Sequence, residues 1–215
     1  MMFLVQMWSL NMNKTRLLSL VPDLVTDDLI KECCDLFNLN FDKAMNGKVI
    51  KIFPSRMKKY INSNSLIFCL YTNNFLIGYM ITEKMTSDLI WIKQIVIAKE
   101  FRNNGLATQL VRCIINYKYI GIITNNPIMI KILKIQGFSI SQDKKKYQNI
   151  FDSYEFRGIV DLYKIDNTVK QETNFVTLTY LVNLQKIVGN IFLYPLAKIE
   201  DGYEWIVLFC DASIP

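Results

Sequence analysis

Between Leu89 and Tyr117 an apolar run, a glycine-bearing loop and a helix start follow one another, and that order limits the possible folds more than any other stretch. Leu89-Ile90-Trp91-Ile92-Lys93-Gln94-Ile95-Val96-Ile97 is rich in β-branched residues and reads as a strand. Leu106, Leu110, Val111, Ile114 and Tyr117 recur roughly every four residues and mark one face of a helix. The join is Phe101-Arg102-Asn103-Asn104-Gly105. Asn103 and Asn104 are residue types that cap helices. Gly105 has no Cβ, so a ligand can come close to its backbone. The first turn of a helix leaves N–H groups unpaired and carries partial positive charge. A pyrophosphate suits such a place, and Arg102 adds a fork of donors. A plain strand-to-helix connection satisfies the same spacing.

Arg102-x-x-Gly105-x-Ala107 resembles the Q/R-x-x-G-x-G/A signature of the GNAT N-acetyltransferases, with Ile97 where that family usually has the valine of its fourth strand. Downstream, Asn126-Pro127-Ile128-Met129-Ile130-Lys131-Ile132-Leu133-Lys134-Ile135-Gln136-Gly137-Phe138 is similar to the family's N-x-x-A-x-x-L-Y-x-x-x-G-F helix-and-strand segment. Two motifs in the right order are far more specific than one, and the resemblance spans roughly residues 15–165. It implies an α/β (α+β) fold: a mixed, mostly antiparallel central sheet flanked by helices, with two central parallel strands that splay apart. It implies acetyl-CoA as co-substrate in that gap. The backbone of Ile95, Val96 and Ile97 would pair with the pantetheine. Arg102, Asn103, Asn104, Gly105, Leu106, Ala107 and Thr108 would hold the pyrophosphate, and Asn126 would face the pantetheine arm.

Composition narrows the classes. At 215 residues the chain holds one core, with or without a small appendage, and 51% apolar residues argue for folding. No apolar run approaches the ~18 residues of a membrane span. Met1-to-Leu10 is apolar, without a preceding positive charge or a small-residue cleavage site, and reads as an N-terminal strand or packed extension. Cys33, Cys34, Cys69, Cys113 and Cys210 are odd in number and fit no metal or disulfide framework. Reduced thiols and a cytoplasmic location follow. The absence of histidine removes a Ser-His or Cys-His nucleophile system and the commonest metal ligand, and no metal is expected. The formal charge of +6 would help attract an anionic coenzyme. Lys144-Lys145-Lys146 is too short a run to argue for nucleic acid.

Along the chain, Thr15-to-Leu20 is short and apolar, and Thr26-Asp27-Asp28 caps a helix carrying Leu29, Ile30, Cys33, Leu36 and Phe37. Residues 38–50 read as loop with a turn at Asn46-Gly47, and Pro54 opens a second helix to about Tyr60. In the family this region often walls the acceptor site, which would bring in Phe41, Phe53 and Tyr60. Asn62-Ser63-Asn64 is a turn. Leu66-to-Tyr71 and Phe75-to-Glu83 are strands around Thr72-Asn73-Asn74. The helix after Gly105 should run to about Lys118, Ile120-to-Ile123 is a short buried strand, and Asn125-Asn126-Pro127 starts a helix that Gly137 ends. Phe156-to-Ile165 is a further strand. On this resemblance residues 1–165 would form the acetyl-CoA-binding domain. Residues 166–215, with strand composition at Phe175-to-Val182, Ile187-to-Leu193 and Trp205-to-Cys210, form a β-rich extension that could join the same domain, cap it, or make a homodimer surface.

The expected activity is acetyl transfer from acetyl-CoA to a primary amine, on a small molecule or a protein. The alternative is a non-catalytic acyl-CoA-binding or regulatory protein on the same fold. Two departures motivate that alternative. Leu133 stands where the family's proton-donating tyrosine usually is, and Trp91 stands where some members carry a carboxylate. The catalytic residues are therefore open, with Glu83, Tyr79, Tyr71 and Lys93 as substitutes that could face the cleft.

Overall fold

Asn73 and Asn74 both adopt positive φ, 49° and 67°, as a two-residue hairpin turn of the twist-matched kind requires. That turn joins strands β2 (Ser65–Thr72) and β3 (Phe75–Lys84). β1 (Thr15–Leu20) pairs antiparallel with the outer edge of β2, and β4 (Leu89–Ile97) pairs antiparallel with β3. A computed structural model describes residues 15–40, 51–124, 126–141, 160–165, 168–173, 178–181 and 203–212. Met1-to-Leu10, Phe41, the Asn46-Gly47 turn, the Lys144-Lys145-Lys146 run and Ile187-to-Leu193 lie outside them.

After β4 come a short 3-10 turn (Lys99–Phe101) and helix α3 (Leu106–Arg112), and the chain returns as β5 (Tyr119–Thr124), parallel to β4. The crossover helix is what lets two parallel strands adjoin. Helix α4 (Pro127–Ile135) and the short strand β6 (Phe138–Ile140) follow. Asn126 is the N-cap of α4, its Oδ1 accepting from the Ile128 N–H at 3.0 Å. Gly137, at φ 92°, takes the left-handed geometry that ends the helix.

The sheet order is β1-β2-β3-β4-β5-β10-β9-β8-β7, where β7 is Val160–Ile165, β8 Thr168–Thr173, β9 Leu178–Leu181 and β10 Tyr203–Asp211. β10 lies antiparallel against β5 along six residues, Trp205↔Thr124 through Cys210↔Tyr119. β6 also pairs with it.

Two apolar layers flank the sheet. On one face α1 (Asp27–Asn40) and α2 (Pro54–Lys59) pack Leu29, Ile30, Cys33, Phe37 and Met57 against Ile67, Tyr79, Ile81 and Val96. On the other, Leu110, Val111, Ile130 and Leu133 of α3 and α4 meet Leu70, Met80, Ile92, Ile120 and Phe209. The Thr26 hydroxyl accepts the Leu29 N–H, as the capping sequence predicts.

Two expectations change. α3 stops at Arg112 instead of reaching Lys118. The chain keeps turning through i→i−3 bonds, Cys113 to Leu110 at 3.0 Å and Ile114 to Val111 at 3.0 Å. That tighter winding suits a helix end and still buries Ile114 completely. Strand β8, Thr-Val-Lys-Gln-Glu-Thr, was unforeseen because its polar composition carries little apolar signal.

Candidate active site

The β4–β5 ladder runs from Leu89↔Tyr119 to Ile92↔Ile122 and ends there. β4 continues to Ile97 and β5 to Thr124. Beyond Ile92 the pairing stops, and among the described residues no strand pairs with the edge of β4 that faced β5. Its other edge stays paired with β3, Ile95 to Met80, Val96 to Tyr79 and Ile97 to Gly78. The main-chain N–H and C=O groups along the freed edge, from Lys93 to Ile97, therefore border the gap.

The loop at the open end comes next. Asn103 and Gly105 are both left-handed, at φ 64° and 76°. Gly105 is the N-cap residue of α3, which has no side-chain cap. Neither asparagine caps the helix. Asn104 Nδ2 donates to the carbonyls of Phe101 and Arg102, closing the loop on itself. Gln109 N–H is the first to bond within the helix, to Gly105 O at 2.9 Å. The N–H groups of Leu106, Ala107 and Thr108 precede it, and no helix carbonyl lies upstream for them. A Cβ added at Gly105 would meet no atom within 4 Å, so the space beside Gly105 is open. Bare amides, open space and a freed strand edge fit a long anionic thioester.

Arg102 does something the sequence did not suggest. Its Nε donates to Ile97 O at 3.2 Å and its Nη2 to Asn40 O at 2.8 Å. The guanidinium thus clasps the end of β4 to the last residue of α1, with part of its fork committed to the fold. Asn40 closes the clasp from the other side, its buried Oδ1 accepting from the Lys99 N–H at 2.7 Å. Asn126 has its Oδ1 engaged as a cap and its N–H on Thr124 Oγ1 at 2.9 Å, where β5 ends.

Leu133 is fully buried between α4 and the sheet. Trp91 is 2% exposed and lies over Gly121, its partner across the ladder. A Cβ there would fall 1.9 Å from the indole Cε3. Neither can move a proton. Of the substitutes, Glu83 binds Lys93 Nζ at 2.5 Å and Asn62 Nδ2 at 2.8 Å. Tyr79 donates to Gln94 Oε1 at 2.7 Å inside the α1/α2 layer, and burial, with the neighbouring thiols, pushes its hydroxyl well above its usual pKa. Tyr71 bonds Glu32 at the surface, and burial raises its hydroxyl too. Tyr60 is buried, whereas Phe53 is exposed.

Sequence reasoning missed Asn40, Asn62 and Gln94. One signal was present: Lys93-Gln94 is a polar pair inside an otherwise apolar strand, and the β3–β4 register slips there.

Residues 32–138 match the sequence profile of the acetyltransferase (GNAT) family. No curated protein matches the chain. Among solved structures it is similar to the ribosomal-protein-S18-alanine N-acetyltransferase from Escherichia coli, at 13% identity and TM-score 0.49, over 60% of this chain and 80% of that one. It is also similar to a GNAT-family acetyltransferase from Streptococcus pneumoniae, at 16% identity and TM-score 0.45, over 60% and 86%. The family assignment rests on the sequence match rather than on these superpositions. Through residues 32–138 the chain belongs to the GNAT acetyltransferase family, acyltransferases that take the acetyl group from acetyl-CoA.

Proposed function

We propose that this protein transfers the acetyl group of acetyl-CoA to a primary amine by direct attack of the amine on the thioester. The parting of β4 from β5 beyond Ile92 and Ile122 carries the reading, because it supplies a slot with hydrogen-bonding main chain on its wall. In this reading Ile95, Val96 and Ile97 line the pantetheine. The loop from Arg102 through Asn103, Asn104 and Gly105 to Leu106, Ala107 and Thr108 seats the pyrophosphate on main-chain amides, and Asn126 borders the arm. Arg102 acts chiefly by fixing the loop and secondarily as a nearby positive charge.

An aliphatic ammonium titrates near ~10.4 and must lose its proton before it attacks. General acid–base help is worth roughly 10²–10⁴-fold, whereas holding two reactants together is worth about 7–11 kcal/mol. A thiol with a pKa near ~8.5 is also a fair leaving group. A site without the usual tyrosine is slowed, not stopped. The acceptor is a small molecule or a protein amine. The five free cysteines suit a reducing, cytoplasmic setting.

The burial of Leu133 and Trp91 favours one alternative, an acyl-CoA-binding protein without turnover. Calorimetry with acetyl-CoA tests the shared premise, and thiol release with a panel of amines separates the two readings. Arg102→Glu combined with Gly105→Asp should abolish coenzyme binding. Unchanged affinity in that variant refutes the loop assignment.

A further inference from the structure

Charge is distributed unevenly over the two helix layers. α1 and α2 set four carboxylates, Asp27, Asp28, Glu32 and Asp35, against four cations, Lys31, Arg56, Lys58 and Lys59. α3 and α4, on the opposite face of the sheet, carry Arg112, Lys131 and Lys134 and no carboxylate. The sequence holds no Asp or Glu from Phe101 to Gln142. Asp211 of β10 pairs with Phe138, just past the end of α4.

Isoleucines stand among these cations. Ile128 and Ile135 of α4 are 56% and 66% exposed, and Ile115, three residues past Arg112, is 38% exposed. Their spacing puts Ile128, Lys131 and Ile135 on one stripe of the helix, about 10 Å long. Lys131, Lys134 and Arg112 are exposed as well. Arg112 Nε donates to Gln136 Oε1 at 3.2 Å, which ties the end of α3 to the end of α4. The inner side of α4 fills the core with Ile130 and Leu133, so the outer isoleucines contribute little to folding.

Three kinds of partner suit the cations, and the isoleucines sort them. A phosphodiester backbone is held by polar and charged groups and gains nothing from Ile128 or Ile135. A protein partner puts apolar residues at the centre of its interface, where lysine is depleted, whereas Lys131 stands between two isoleucines. A bilayer surface accepts both, because a lysine stem lies along apolar surface while its ammonium stays in water among the headgroups. We propose that the outer face of α3 and α4 binds the surface of a bilayer containing anionic lipid. Ile115, Ile128 and Ile135 enter the headgroup layer, and Arg112, Lys131 and Lys134 meet the anionic headgroups. The contact is peripheral, since no described helix is long and apolar enough to cross a membrane. The formal charge of +6 adds attraction at longer range. The coenzyme slot plays no part in this inference.

The test is co-sedimentation of the full chain with vesicles of phosphatidylcholine mixed with phosphatidylserine, and with vesicles of phosphatidylcholine alone. The chain should bind the mixed vesicles about a hundredfold more tightly, and added salt should weaken that binding. Lys131→Gln combined with Lys134→Gln should weaken it about 25-fold, at about fivefold for each cation near an anionic surface. Ile128→Ser combined with Ile135→Ser should weaken it about tenfold. Leu24→Ser combined with Phe75→Ser removes side chains 62% and 72% exposed elsewhere on the molecule and should leave binding unchanged. If the double isoleucine variant does not fold, Ile135→Ser alone takes its place, with a loss of about threefold. Absent binding, equal binding to both vesicles, or native affinity in the isoleucine variant overturns the proposal, and so does an equal loss in the Leu24 and Phe75 variant. Retention on duplex DNA or on polyglutamate without vesicle binding gives the face to a nucleic acid or an acidic protein. A dimer that the isoleucine variant abolishes gives it to a second copy of the chain. Each of these results overturns the proposal as well.

Discussion

Gly105 carries two demands that a side chain would separate. Its φ of 76° costs an L-residue about 1–2 kcal/mol, yet the space around its missing Cβ is empty. Gly105→Ala should therefore lower the melting temperature by only a few degrees, about 2–4 °C per kcal/mol in a chain this size. It should weaken acetyl-CoA binding more, since the new methyl enters the open space beside the loop proposed to seat the pyrophosphate. Calorimetry and a thermal melt on one sample check both, and unchanged affinity would sink the cradle. Gly121 is the reverse case: its Cβ would overlap the Trp91 indole. Gly121→Ala should cost about 1–3 kcal/mol by overpacking, and much less in a Trp91→Leu background, a coupling that a double-mutant cycle measures. Titration is also legible at single residues. The hydrogen bond with Cys69, then burial, pushes the Cys33 thiol far up, and burial does the same to Tyr79. Below ~8.5, the ordinary thiol value, both folded and unfolded chains hold these protons and the stability is fully present. As pH rises further only the unfolded chain releases them, from ~8.5 for Cys33 and from ~10 for Tyr79, so stability falls by about 1.4 kcal/mol per pH unit for Cys33 first and for Tyr79 only above ~10. Urea titrations between pH 8 and 10 should show that fall, and Cys33→Ala should flatten its onset.

Between elements, the joint that matters is the one the sequence hid. The strand, loop and helix order around Gly105 was readable because periodicity, glycine and a family signature coincide there. The hairpin at Asn73-Asn74 was readable from turn chemistry alone. The Asn40–Arg102 clasp was not, because its partners stand 62 residues apart and no local pattern couples them. Nor was the register slip between β3 and β4, although Lys93-Gln94 interrupts its strand visibly: a polar pair there is as compatible with an exposed edge until the register is known. The clasp makes its own prediction. Asn40→Ala removes the buried Oδ1 that accepts the Lys99 N–H, and losing a buried hydrogen bond should cost about 1–3 kcal/mol. Hydrogen exchange should quicken at Lys99 and Arg102 while the β2–β3 hairpin stays protected. Uniform quickening across the sheet would mean that α1 and the loop are not coupled as the contacts indicate.

For the molecule as a whole, the question is where the unit ends, and sequence patterning could not decide it. Pairing between distant strands leaves no trace in composition, so residues 166–215 read as an extension of open role. We propose that they belong to the same domain as residues 1–165, and β10 is the reason. It bonds to β5 over six residue pairs and carries Val207, Leu208 and Phe209, all buried. Val207 and Phe209 pack in the layer that holds Ile120, Ile122 and Phe138. The C-terminal half of β10 is tied as well, with Ser141 N–H on Leu208 O at 2.8 Å and Asp211 N–H on Lys118 O at 3.0 Å. Burying three such side chains is worth about 1.5–3 kcal/mol each, together comparable with the 5–15 kcal/mol that holds a typical domain. A chain ending at Ile165 would also expose the open edge of β5 beside the slot, a template for pairing with other chains. Such a truncation should lose its cooperative thermal transition, bind a hydrophobic dye and aggregate. A truncated chain that melts cooperatively and still binds acetyl-CoA would show instead that β10 is an addition to a core already complete, and that the slot stands without its neighbour.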